Sequence, residues 1–201
     1  MVKPTTAPTT YEDSFMAQGV SPIAGVDEAG RGALAGAVVA CAVVLPHRLI
    51  IDGVNDSKKL SPKLRQELAE RIKNEALSYA FGIVDIDTIA EINILHAALL
   101  AMNKAIEGLT VAPKIALIDG NKLPPGLPCE AMCIKQGDSA SHLIAAASIL
   151  AKVERDKMML ELHEQYPMYG FDKHKGYGTP AHKAALQKYG LCPHHRESFC
   201  K

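Results

Sequence analysis

The chain has 201 residues, 48% hydrophobic and 22% charged, with 22 lysines and arginines balancing 22 aspartates and glutamates. That length and balance suit a globular domain with a small appendage, and they exclude a disordered chain or a membrane protein. The longest apolar stretch, Ala33 to Leu45, is 13 residues, short of the roughly 20 that a spanning helix needs.

The first residues, MVKPTTAPTT, carry no apolar core and make no secretory signal, so residues 1–20 read as a disordered tail. Ile23 to Glu28 is an apolar run opening into Gly30-Arg31-Gly32, and Val38 to Leu45 is β-branched and ends at Pro46; both predict strands. Ser61-Pro62 predicts a capped helix start, and Leu64, Leu68 and Ile72 carry that helix toward Leu77. Tyr79 to Val84 is a third strand. Thr88-Ile-Ala-Glu91 matches a capping box, followed by a helix over Ile94 to Glu107 that stops at Gly108. Lys114 to Asp119 is a buried strand, a proline-rich loop follows, and Met132 to Lys135 is a short last strand. Asp138 to Gln165 predicts one long helix, whose Ala145-Ala146-Ala147-Ser148 patch allows close backbone approach.

From Tyr166 the chain reads as loop with one short helix over Pro180 to Tyr189. This stretch holds six lysines and arginines against two acids, with four histidines and six of the ten aromatics, which points to an anionic partner. The whole is α/β: a mixed sheet flanked by helices over residues 21–165, then a basic, aromatic-rich appendage over 166–201. Five cysteines without a secretory leader predict reduced thiols in a cytoplasmic protein.

Four acids sit where such sheets build their sites. Asp27 and Glu28 end one apolar strand, Asp119 ends another, and Asp138 opens the long helix, where it suits a cap as well as a ligand. Neighbouring strand residues point to opposite faces, so Asp27 and Glu28 reach one site only if the backbone twists, which Gly30 and Gly32 permit. Converging carboxylates repel one another unless a hard cation such as Mg²⁺ or Mn²⁺ relieves them. Two such ions roughly 4 Å apart are a device for in-line phosphoryl chemistry. A dinucleotide loop is disfavoured, because the glycines are spaced GxGxxxG, two acids precede them, and a strand follows where a helix should. Zinc on Cys129 and Cys133, or on Cys192, His194, His195 and Cys200, lacks the tight spacing of common zinc modules.

Six ordered stretches resemble one family: GVDEAGRGALAG (25–36), NDSKKLS (55–61), NILHA (93–97), LIDGN (117–121), Gly137-Asp138 through AAASILAKVERD (145–156), and YGFDKHKGYGTPAH (169–182). Together they are similar to bacterial type 2 ribonuclease H, ribonuclease HII, in order from about Ile23 to Phe199. The resemblance implies a ribonuclease-H-like fold with a C-terminal helical appendage. It implies an endonuclease that cuts the RNA strand of RNA–DNA hybrids and nicks DNA duplexes 5′ to an embedded ribonucleotide, leaving 5′-phosphate and 3′-hydroxyl ends. It places a metal-binding acidic quartet on Asp27, Glu28, Asp119 and Asp138, serving Mn²⁺ or Mg²⁺.

The same resemblance places the contact to the ribonucleotide 2′-hydroxyl on Gly30, Arg31 and Gly32, and a substrate-sensing ring on Tyr177. From the residues alone, a tyrosine between two glycines reads as a loop aromatic packed on its own domain. Lys58 and Lys59 are expected at phosphates, and Lys173, Lys175, Lys183 and Arg196 along the duplex backbone. His174, His182, His194 and His195 are expected as packing or phosphate partners. Ala37 stands where many relatives have proline, and Glu197 where relatives often carry a second arginine. The expected protein is a monomer that binds nucleic acid and no membrane.

Overall fold

The computed structural model describes residues 5–200. Five strands form one sheet: β1 (Ile23–Ala29), β2 (Val38–Val44), β3 (Ser78–Val84), β4 (Ile115–Asp119) and β5 (Glu130–Ile134). Their order is β3-β2-β1-β4-β5. The first three strands run antiparallel, whereas β4 lies parallel to β1 and β5 parallel to β4. The long helix α5 (His142–Gln165) packs on one face with α2 (Pro62–Glu75), and α3 (Ile86–Glu107) covers the other.

Every residue of β2 is buried because helices cover both of its sides. Cys41 and Val43 join the α5 side, while Val38, Ala40, Ala42 and Val44 join the α3 side. The first turn of α5, just before its alanine patch, comes against the backbone of β1. A Cβ at Gly25 would stand 2.1 Å from the carbonyl carbon of Leu143. Neither backbone can yield, so Gly25→Ala is expected to cost about 3 kcal/mol and ~6–12 °C in Tm, measured by calorimetry.

Several elements differ from the sequence reading. The tail expected over residues 1–20 is ordered from Thr5: α1 spans Thr10–Ala17, and Phe15, Met16 and Val20 pack on the core. Residues 1–4 lie outside the described residues. The absence of an apolar run argued against a leader, but hydrogen bonding orders this segment instead, with Ala7 N–H donating to Val54 O at 2.8 Å. α3 starts at Ile86, capped by Asp85 rather than by the Thr88 box. It kinks at Asn93 (φ 62°), whose side chain accepts from Leu95 and His96 N–H and so caps the second half. That helix has the length and composition of a membrane span, but Ala97, Ala98, Ala101 and Ala105 are packed against the sheet.

The single helix expected from Asp138 is two. α4 (Gly137–Ala140) carries Asp138, and Ser141 in extended geometry separates it from α5. Beyond α5 the chain forms α6 (Phe171–His174) and α7 (Pro180–Tyr189), the former in a stretch read as loop. All five cysteines are free.

Candidate functional site

The parallel register decides where the acids meet. Val26 pairs with Ile118, so the next residues along, Asp27 on β1 and Asp119 on β4, leave the sheet side by side. β5 runs parallel to β4 with Ile134 beside Asp119, and the chain that follows reaches Asp138 at the same sheet end. Gly137 N–H donates to Asp119 Oδ1 at 2.7 Å, which ties the start of α4 to β4.

Asp27 is buried beneath the opening, its Oδ1 accepting from Glu28 N–H at 2.7 Å. Glu28 pairs with the half-exposed Arg31 at 3.3 Å. A cleft of about 540 Å³ is lined by Glu28, Gly30, Arg31, Gly32, Asp119 and Tyr177, among others. Asp138 opens into an adjoining recess that shares Lys58 and Asp119. A larger basic groove of about 800 Å³ continues past Tyr177 between α2 and α5. The four acids therefore share one region, although among the described residues no three of His, Cys, Asp and Glu form a closed metal cage. The zinc groupings gain no support on the same count.

Electrostatics mark this region as short of positive charge. Burial raises the Asp27 carboxyl well above its usual range, and Glu28 and Asp119 push it further. Glu28 is raised by burial and by Asp119, against the pull of Arg31. Asp138 is raised by burial, Asp56 and Asp119, with Lys58 opposing at 3.6 Å. Burial would lower the Lys58 ammonium, yet Asp138, Asp27 and Asp56 together hold it above its ordinary value. An all-carboxylate set in which Asp27, Glu28 and Asp138 resist ionisation is what hard divalent cations relieve, so these residues fit Mg²⁺ or Mn²⁺.

The sequence reading passed over Asp56, whose carboxylate accepts from Lys58 N–H at 2.9 Å and adds to the field on Asp138. Its place in NDSKKLS, directly before the two lysines, was the available signal.

The glycine loop and the tyrosine loop are pinned together. Leu34 N–H donates to Gly176 O at 2.8 Å, and Ala33 bridges to Tyr177. Two buried guanidinium groups hold this junction from below. Arg155 donates to the carbonyls of Ala35, Ala37 and Lys175, and lies 5.2 Å from the Tyr177 ring centre. Arg196 donates to the carbonyls of Gly30, Arg31, Ala33 and Gly36. Arg196 was expected along a duplex backbone; it is 3% exposed and faces inward. Lys175 is likewise partly engaged, its ammonium donating to Asp172 O.

The histidines form a relay. Cys192 N–H donates to His195 Nδ1 at 2.9 Å, so the His195 proton sits on Nε2 and points to His182 Nε2 at 3.0 Å. His182 must then donate from Nδ1 to Tyr177 O, also 3.0 Å away. Both rings are neutral in this arrangement. Burial lowers both, His195 to about 4, with His182 contributing. His174 stacks on His182 with centres 4.3 Å apart, and its Nδ1 accepts from Gly176 N–H. These rings pack and orient the Tyr177 loop, and only the packing half of the earlier expectation describes His182 and His195.

Comparison with known proteins agrees with this architecture. A family model described as Ribonuclease HII matches residues 24–201. A ribonuclease HII from Chlamydia caviae is 54% identical over 192 residues, 95% of this chain and 90% of that protein. One from Xylella fastidiosa is 55% identical over 178 residues, covering 88% of this chain and 76% of the relative. The crystal structure of ribonuclease H2 from Pyrococcus horikoshii superposes with a TM-score of 0.75 at 26% identity, covering 89% of this chain and 94% of that one. With the family match spanning nearly the whole chain, this protein belongs to the ribonuclease HII family and is a ribonuclease H enzyme.

Proposed function

We propose that this enzyme, which cuts RNA within RNA–DNA hybrids, also nicks DNA duplexes on the 5′ side of embedded ribonucleotides. The observation that carries the reading is the delivery of Asp27, Glu28, Asp119 and Asp138 to one sheet end facing the Gly30–Gly32 loop and Tyr177. These four carboxylates would hold two Mg²⁺ or Mn²⁺ ions. When bound, such ions supply an activated water and stabilise the departing 3′-oxygen.

The chain's own groups handle recognition. Among the described residues nothing stands within 4 Å of where a Gly32 Cβ would be, so its backbone is open to a ribose 2′-hydroxyl. The Tyr177 ring, backed by Arg155 and with Lys152 Nζ 5.3 Å from its centre, offers a flat face to a sugar. Lys58, 80% exposed at its side chain, can meet a phosphate while its field steadies Asp138. The basic groove beyond Tyr177 suits a duplex backbone and makes binding salt-dependent. The working form is a cytoplasmic monomer, with residues 21–165 carrying the chemistry and the glycine loop, and 166–201 adding Tyr177 and further basic groups to substrate binding.

The decisive experiment is a labelled DNA duplex with one ribonucleotide beside an all-DNA control, in Mn²⁺ and in Mg²⁺. Cleavage confined to the 5′ side of the ribonucleotide is expected, and equal cleavage of both duplexes overturns the reading. Tyr177→Ala is expected to lower kcat/KM on the single-ribonucleotide duplex by about 10-fold to 100-fold, since burying an aromatic side chain against a partner is worth ~1.5–3 kcal/mol.

A further inference from the structure

The segment from Thr5 to Ala17 precedes the residues that the family model matches, yet it touches both flanks of the carboxylate region. On one flank it clasps the approach to Lys58. Gly53 N–H donates to Thr6 Oγ1 at 3.0 Å, and Asn55 Nδ2 donates to Thr5 O at 2.5 Å. Asn55 Oδ1 accepts in turn from Asp56 N–H at 2.7 Å, two residues before the lysine that faces Asp138.

On the other flank α1 sends Glu12 inward, 3% exposed. Its Oε1 accepts from Ser141 Oγ at 2.6 Å and from Leu143 N–H at 2.9 Å. Ser141 is the joint between the helix that carries Asp138 and α5. Its N–H closes α4 on Gly137 O at 2.8 Å, and its Oγ accepts from Ile144 N–H at the start of α5. Four residues make no helix that is stable alone, so the ends of α4 dictate its position. One end hangs on Asp119 and the other on the serine that Glu12 grips. Among the described residues Glu12 Oε2 is buried without a partner, a cost that a plain serine or threonine cap would avoid.

We propose that Glu12 is a positioning residue for the reaction, fixing the Ser141 joint and through it the placement of Asp138 relative to Asp119. The inference rests on the assignment of Asp138 as a metal-holding carboxylate. Outer partners of metal ligands set both affinity and turnover. Glu12 acts at one further remove, through the backbone that bears the ligand.

The test uses the full chain with Glu12→Ala, Glu12→Asp and Glu12→Gln. Mn²⁺ binding to the free protein is measured by calorimetry, kcat and KM on an RNA–DNA hybrid separately, and Tm alongside. Alanine and aspartate are expected to weaken Mn²⁺ binding and kcat by about 10-fold to 100-fold, with KM for the hybrid unchanged. Glutamine keeps an oxygen acceptor at full reach and is expected to restore both.

Parental Mn²⁺ affinity and kcat in the alanine and aspartate variants would overturn the proposal, whatever their Tm. So would a glutamine variant as impaired as alanine, since the hydrogen bonds to Ser141 and Leu143 would then not be what matters. Should alanine fail to fold, aspartate, charged but shorter, decides. Asp138→Asn separates the two levels. If it retains metal binding and turnover, the site reading fails. If it loses them while the Glu12 variants do not, the inference alone fails.

Discussion

Asp27→Asn is expected to reduce cleavage by roughly 10³-fold or more and, in EDTA at neutral pH, to raise the Tm. The two effects share one cause. Asp27 is held well above the ordinary carboxylate range by burial first, then by Glu28 and Asp119. A carboxyl whose folded pKa exceeds its unfolded value binds more protons in the native state, so stability falls as pH rises through that window. Above it the native protein carries the full penalty of a buried, repelled charge. Asparagine removes the charge and keeps an oxygen to accept from Glu28 N–H. The Tm gain should shrink as pH falls toward the ordinary carboxylate value, where the parent's Asp27 is also neutral. Saturating Mn²⁺ should reverse the order, because the parent gains stability from binding that the variant lacks. Calorimetry in EDTA and in Mn²⁺, with a cleavage assay, checks all three. Near-normal turnover, or a lower Tm in EDTA, would contradict the assignment.

Arg196→Lys and Arg196→Met are both expected to destabilise by about 3–5 kcal/mol, because several buried carbonyls lose their donors together. Arg196 meets four carbonyls and makes no ion pair among the described residues. Burial and the nearby Arg155 lower it to about 10, still charged at neutral pH. Lysine offers a point charge where a planar fork spans Gly30, Ala33 and Gly36, so it cannot substitute. Beyond the Tm loss, kcat/KM on ribonucleotide-containing duplexes should fall in the lysine variant at temperatures where it stays folded. A lysine variant with parental Tm and kcat/KM would show that the loop holds its shape without this clamp.

Much of this was legible from the residues. The strands announce themselves as β-branched runs, and an aspartate ending Ile-Ala-Leu-Ile has no cheap burial, which singled out Asp119 before any fold was known. Asp27 and Glu28 followed by the same reasoning, whereas the close approach of Gly25 to Leu143 carried no signal that was read. Asp138 was located but misplaced: the run after it is helical in pattern, and only the tertiary grip of Asp119 and Glu12 explains the break at Ser141. Within the C-terminal stretch Arg196 was misassigned, since it faces inward and spends its donors on backbone carbonyls, whereas His182 and His195 pack inside as one of their two expected roles required. A side chain aimed at carbonyls leaves no periodicity to read. For the same reason, the ordering of residues 5–20 by threonine, asparagine and glutamate hydrogen bonds went unseen.

The pinning of the glycine loop by Arg196 also bears on how the enzyme is made. Polypeptides fold from the N-terminal side during synthesis. All four acids have been translated by the time Asp138 emerges, but the guanidinium that shapes the ribose-facing loop follows only after α5 and α7. A ribosome-bound intermediate can therefore own a finished sheet and its anions while its discriminating surface is still slack.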